Sequence, residues 1–232
     1  GDWDDVVQIS KRVRGAIPAF GFHPWFLSHL KEQWQEDLVR YLTTHHGVIG
    51  EIGIDHWKEG IDLRLQESVF REQLAVAAQY NIPATIHGLK AWDRVLQILR
   101  EMGPFPAGVL LHSYSGPEPL IRSFVDLGAY FSCSGALLSP KREKALQVFA
   151  TVPEERLLIE SDTPDQFATS SDSTTPLVDS STGARLTHPL SIKETYRRLA
   201  TLRTVSEEHL CQAVERNFLR LFGRFFTPAP LT

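Results

Sequence analysis

Short, almost unbroken apolar runs separated by longer amphipathic segments set the tightest limit on how this chain can fold. The runs lie at residues 16–22, 48–52, 83–87, 108–112, 129–132 and 156–161. Because they are nearly continuous rather than alternating, they read as parallel strands buried on both faces. Between them the apolar period lengthens to that of a helix. In 62–80, Phe70, Leu74 and Ala77 share one stripe, and in 33–43 so do Trp34, Leu38, Tyr41 and Leu42. Further helices are predicted at 91–102, 117–127 and 141–150. Ahead of the first run, Trp3, Val6, Val7 and Val13 recur at helical spacing behind Asp2 as an N-cap. The repeated strand-then-helix order implies a parallel sheet with crossover helices, and 232 residues suit a single α/β barrel.

After Asp162 the pattern breaks. Residues 168–184 are polar, rich in Ser and Thr and without periodicity, which predicts a long loop, either functional or disordered. Two helices follow, at 190–202 and 206–222; the second has Ser206 as N-cap, Glu207 and Glu208 in its first turn and Gly223 as its stop. Residues 224–232 read as a tail. There is no internal repeat and no second domain, so 1–232 is taken as one domain. No apolar run approaches the roughly 20 residues that span a bilayer. Cys133 and Cys211 fit neither a disulfide framework nor a metal-binding pair and are compatible with a reducing compartment. No signal-peptide pattern follows Gly1, and the expected location is intracellular, cytoplasmic, nuclear or both. The opening residues read as the middle of a domain, the expectation being a fragment, an unusual isoform or a processed product. A net charge of −4 lacks the basic footprint of a tight nucleic-acid binder, though an enzyme can act on nucleic acid through a local basic rim and bound cations.

The ionisable residues fall at strand ends. Glu51 follows Val48-Ile49-Gly50, His87 ends the run from Ala84, His112 ends the run from Val109, and Asp162 follows Leu157-Leu158-Ile159-Glu160-Ser161. In a parallel barrel the carboxyl ends of the strands converge on one face, where active sites are built. A single strand-end histidine is more often structural. Four such groups near a core are costly unless something pairs with them, and a divalent cation takes imidazole and carboxylate ligands. Glu160, two residues before Asp162, faces the same side of an extended strand. It could orient a ligating histidine through its free N–H, or pair with a Lys or Arg. Asp55, by the same spacing from Glu51 and Gly53, could cap the next segment or touch the site. Pro24 holds His23 extended and aims its ring at that same face, for phosphate contact, proton transfer or support.

The set Gly21-Phe22-His23-Pro24, Gly50-Glu51-Ile52-Gly53-Ile54-Asp55, Gln66 with Phe70, and Pro83-Ala84-Thr85-Ile86-His87 resembles the TatD-related hydrolases. The resemblance continues through Leu111-His112-Ser113-Tyr114-Ser115-Gly116, Arg156 to Pro164, and Asn217 to Gly223, so it covers nearly the whole chain. Each motif alone is weak; the ordered set is specific. The resemblance implies a TIM (β/α) barrel metallohydrolase, typically a magnesium-dependent deoxyribonuclease. It makes Glu51, His87, His112 and Asp162 the ligands of one or two divalent ions. Magnesium is the family's ion, and manganese or zinc suits two histidines as well. DNA is the expected substrate, Asp162 the general base, Glu160 its neighbour in catalysis, and His23, Lys90 and Arg185 the groups that contact phosphate.

The chain also departs from the family. It has no His-x-His strand and enters the pattern after the family's second strand, so the expected barrel lacks its first two strands and exposes two edges. The family's His-x-Arg becomes His87-Gly88-Leu89, leaving Lys90 as a displaced cation. Its Asp-Ala-Pro-Tyr becomes Asp162-Thr163-Pro164-Asp165, and its Arg-Asn-x-Pro becomes Arg185-Leu186-Thr187-His188-Pro189. Two other readings stand beside the nuclease: hydrolysis of a carboxylic ester or amide, such as an aminoacyl ester on transfer RNA, and a catalytically impaired metal-binding protein.

Overall fold

In the computed structural model, residues 2–165 and 177–227 are described. Six strands form one all-parallel sheet in chain order: β1 (Ala19–Phe20), β2 (Val48–Asp55), β3 (Ala84–Leu89), β4 (Val109–Leu111), β5 (Ala129–Ser134) and β6 (Leu157–Glu160). Helices α1 (Trp3–Arg12), α2 (Trp34–His45), α3 (Leu63–Tyr80), α4 (Trp92–Met102), α5 (Leu120–Asp126) and α6 (Glu143–Val148) alternate with the strands. After β6 come the two-residue strands β7 (Leu177–Val178) and β8 (Arg185–Leu186), then α7 (Ile192–Arg203) and α8 (Glu207–Phe222). Among the described residues β1 and β6 each pair on one side only.

The core lies between the sheet and the helices that pack on it. Ile49, Ile52, Ala84, Ile86, Val109, Leu111, Ala129, Phe131 and Leu157 are fully buried. Burial on both faces holds for β4 and β5 but not for β3, where buried Ala84, Ile86 and Gly88 alternate with half-buried Thr85, His87 and Leu89. One face of β3 therefore opens toward solvent, and that face carries His87. Asn217 ties α8 to the start of β6, donating through Nδ2 to the carbonyls of Glu154 (2.6 Å) and Leu157 (2.9 Å).

Several predicted boundaries move for local reasons. The run 16–22 keeps only Ala19 and Phe20 in the ladder, and beyond its far end the backbone of Phe22 is taken by a side chain: Gln73 accepts its N–H at 2.7 Å and donates to its carbonyl at 3.2 Å. Asp2 precedes α1 without a side-chain capping bond. The predicted helix 117–127 starts at Leu120, after Pro117 and Pro119, and 141–150 shortens to α6 behind a 3-10 turn at Pro140–Arg142. Ser206 caps α8 by accepting the His209 N–H at 3.1 Å. Gly223 ends that helix without entering the left-handed region, its φ being −57°, and the chain tightens into a 3-10 turn.

Of the loop expected at 168–184, residues 168–176 lie outside the described residues, as do 228–232 of the tail. The remainder of that loop is structured: β7 pairs antiparallel with β8. The Asp179 carboxylate organises the turn by accepting the N–H groups of Ser181 and Thr182 and the Ser181 hydroxyl. Among the described residues no helix is long and apolar enough to cross a membrane.

Candidate metal centre

The register between β2 and β3 shifts between Ile49 and Ile52. The irregularity lifts Glu51 off the regular ladder and aims its carboxylate across the sheet. Two residues on, Gly53 has φ +148°, and a Cβ there would stand 2.0 Å from the carbonyl oxygen of His87. The Gly-Glu-Ile-Gly motif thus reads as packing as much as chemistry: only glycine lets β2 lie this close to the strand end that carries His87.

Glu51 Oε1 is the point on which the imidazoles converge. It lies 2.9 Å from His87 Nδ1, 3.7 Å from His112 Nε2 and 4.0 Å from His23 Nε2. His112 Nε2 is also 3.4 Å from Asp162 Oδ1. Asp162 leaves β6 with φ +55°, a left-handed conformation that turns its side chain to the cluster at the cost of local strain. Ligands held at about 2.0–2.1 Å from one divalent ion are themselves about 3–4 Å apart. The donor spacings fall in that range.

Each of the two inner histidines is gripped from behind. His87 Nε2 is 2.9 Å from Asp55 Oδ2, and His112 Nδ1 is 2.9 Å from Glu160 Oε2. With those nitrogens donating to carboxylates, His87 keeps Nδ1 and His112 keeps Nε2 for the ion, which is the arrangement that fixes a ligating imidazole. Glu160 therefore meets a histidine and not the Lys or Arg that was its other expected partner. Asp55 does both things its spacing allowed, since its Oδ1 also accepts the N–H groups of Trp57 (2.7 Å) and Lys58 (2.9 Å). His23 is grouped in space with Glu51 and His87, their ligand atoms lying within 4.8 Å of one another. Its Nδ1, however, accepts the Trp25 N–H at 3.2 Å, which leaves the proton on Nε2. In that form His23 is a hydrogen-bond donor facing the centre and not a ligand.

The charges follow from this geometry. Burial alone would raise Glu51, but its hydrogen bond to His87 and the nearby imidazoles bring it down to about 2. Burial lowers His23 to about 4, so it is neutral at physiological pH. Burial also pulls down His87 and His112. Glu51 and Asp55 more than offset that for His87, as do Glu160, Asp162 and Glu51 for His112, and both end above the usual histidine value. Among the described residues no Lys or Arg pairs with Glu51, Asp55, Glu160 or Asp162. Four carboxylates around three imidazoles, with no fixed cation, form a donor set suited to a divalent metal.

The structure thus brings Glu51, His87, His112, Asp162, Glu160 and His23 to one place. Lys90 and Arg185 are exposed, and among the described residues no hydrogen bond or ion pair joins either to the cluster. Sequence reasoning placed the helix at 62–80 and quoted Gln66 among the family's motifs, but missed what the helix's two glutamines hold. Gln66 and Gln73 are seven apart on α3 and fully buried. Gln66 closes two bonds with the backbone of Asp55 (2.8 and 3.1 Å), as Gln73 does with Phe22. Two polar residues at helical spacing among apolar neighbours were the available signal.

Imidazoles and carboxylates gathered at the carboxyl ends of a parallel α/β sheet are the donor set and the location that metal-dependent hydrolases of this fold use. The family is equally plain. The model of the TatD related DNase family matches residues 1–223, and the chain belongs to that family. It is 30% identical over 213 residues to the uncharacterized metal-dependent hydrolase YabD of Bacillus subtilis, covering 88% of this chain and 76% of that protein. It is 30% identical over 165 residues to the 3'-5' ssDNA/RNA exonuclease TatD of Salmonella typhimurium, covering 68% of this chain and 62% of the relative. Against the uncharacterized metal-dependent hydrolase YjjV of Escherichia coli the chain likewise spans 62% of the relative's length. The crystal structure of the E. coli TatD homologue YjjV superposes with a TM-score of 0.83 at 25% identity, covering 96% of this chain and 82% of that one.

Proposed function

We propose that this chain cleaves phosphodiester bonds of DNA with the help of one or two divalent cations held by Glu51, His87, His112 and Asp162. The observation that carries this reading is the convergence of three imidazoles on Glu51 Oε1 at 2.9–4.0 Å, with Asp162 beside them. The name of the Salmonella relative, a single-stranded DNA and RNA exonuclease, supports a nucleic-acid substrate. A bound divalent ion supplies Lewis acidity, making water a better nucleophile at neutral pH and offsetting charge on the phosphate. The rest falls to the protein's own groups. Asp162 Oδ1 accepts the proton of the attacking water. His23, neutral and protonated on Nε2, donates to a phosphate oxygen. Asp55 and Glu160 hold the imidazoles of His87 and His112 in one tautomer and one orientation. Magnesium, manganese and zinc all suit parts of the donor set.

The test is cleavage of end-labelled single-stranded DNA with added magnesium or manganese. Glu51→Ala and His112→Ala are each expected to reduce cleavage to the level of a chelated control. Cleavage that persists in both variants overturns the assignment. An aminoacyl ester assayed under the same metal separates the phosphodiesterase from the esterase reading.

A further inference from the structure

The rim of the centre carries two aromatic side chains that the fold leaves in solvent. Phe26 is 53% exposed and Trp57 is 56% exposed; among the described residues they are the only aromatics in the set of exposed large apolar side chains. Both adjoin the cluster. The Phe26 ring lies 5.8 Å from that of His23, and the Trp57 ring lies 6.5 Å from that of Trp25 with the planes 34° apart. Trp25 in turn donates through Nε1 to Asp55 Oδ2 at 2.8 Å, the oxygen that also holds His87. Lys58 brings its ammonium 4.4 Å from the centre of the Trp25 ring.

These groups are not loosely hung. The turn that presents Trp57 and Lys58 is closed by Asp55 Oδ1, which accepts both of their N–H groups. Phe26 sits at a kink, φ −116° and ψ 17°, within the 3-10 segment Pro24–His29, whose entry is fixed by the Trp25 N–H bond to His23. One carboxylate therefore orients a proposed metal ligand on one side and an exposed indole and a cation on the other. Planar apolar faces beside a positive charge suit a ligand that is itself planar and joined to negative charge. An unpaired nucleobase on its phosphate backbone has both properties, whereas in a duplex the base faces are hidden by their neighbours in the stack.

We propose that Trp57 and Phe26 form a stacking platform for an unpaired base next to the scissile phosphate, with Lys58 against the strand's backbone. The platform would make the site prefer single-stranded ends without regard to base identity. The proposal rests on the phosphodiesterase reading, and its test keeps the two apart. Fluorescence anisotropy would follow a labelled phosphorothioate oligothymidylate, which resists cleavage, and a matching abasic strand, both with manganese present. The wild-type chain is expected to bind the base-bearing strand about tenfold more tightly than the abasic one. Trp57→Ala and Phe26→Ala should each remove most of that difference, and Trp57→Phe should restore it. Equal affinity for the two strands, or a difference untouched by both alanine variants, overturns the platform. Cleavage of ordinary single-stranded DNA, measured separately, reports on the phosphodiesterase reading: cleavage with no base preference leaves that reading standing and removes only the platform. Base-dependent binding without cleavage does the reverse.

Discussion

His87 stands between two carboxylates, with Glu51 at Nδ1 and Asp55 at Nε2, each at 2.9 Å. Asp55→Asn keeps every proposed ligand but loses the charge that orients this ring, so metal affinity should fall by about 10- to 100-fold in a calorimetric titration. An unchanged dissociation constant would reduce Asp55 to a turn former. Protons also stand where an ion would act. Their carboxylate neighbours hold the protonated forms of His87 and His112 to a higher pH than the usual histidine value of 6.5 in the metal-free chain. Manganese binding should therefore release protons and tighten as pH rises through and beyond that value; titrations in buffers of different ionisation enthalpy measure the number released. The folding linkage of the metal-free chain has the opposite sense, because stability from a raised histidine pKa is complete below about 6.5 and is lost as pH climbs through the folded value. At this scale the sequence displayed Glu51, His87, His112 and Asp162 clearly, as polar residues ending apolar runs. Tautomers were illegible, because they depend on Asp55, Trp25 and Glu160 meeting those rings in space.

Helix α3 shows how an element far from the chemistry sets its geometry. Gln73 satisfies the N–H and carbonyl of Phe22 just where β1 ends, one residue before His23. Gln73→Ala would strand those partly buried backbone groups and should cost about 2–3 kcal/mol in denaturant unfolding. Because His23 would lose its anchor, cleavage should fall further than the fraction unfolded explains; equal losses would confine Gln73 to stability. The order of strands and helices could be read from apolar periodicity, and their ends were harder to place. The prediction for 16–22 overshot at its carboxyl end because a helical side chain takes the backbone bonds of Phe22. Within the predicted loop, residues 177–184 looked irregular because two-residue strands are too short to show a period, and β7 with β8 owes its turn to the hydrogen bonds of Asp179.

For the whole molecule, the proposed ion would join β2, β3 and the loops after β4 and β6, drawing together parts of the sheet that span more than a hundred residues of chain. Manganese at about 100 times its dissociation constant should add about 2.7 kcal/mol of stability, or about 5–10 °C in melting temperature for a chain of this size. A chelator should remove the gain, and Glu51→Ala should show none; a rise retained in that variant would place the ion elsewhere. The sheet has a further property. Among the described residues each of β2 to β5 pairs only with its predecessor and its successor, β1 only with β2 and β6 only with β5. During synthesis at about 5–20 residues per second, each of β2 to β6 emerging from the ribosome thus meets a neighbour already made. None needs to be threaded between two that have closed, so folding can keep pace with translation.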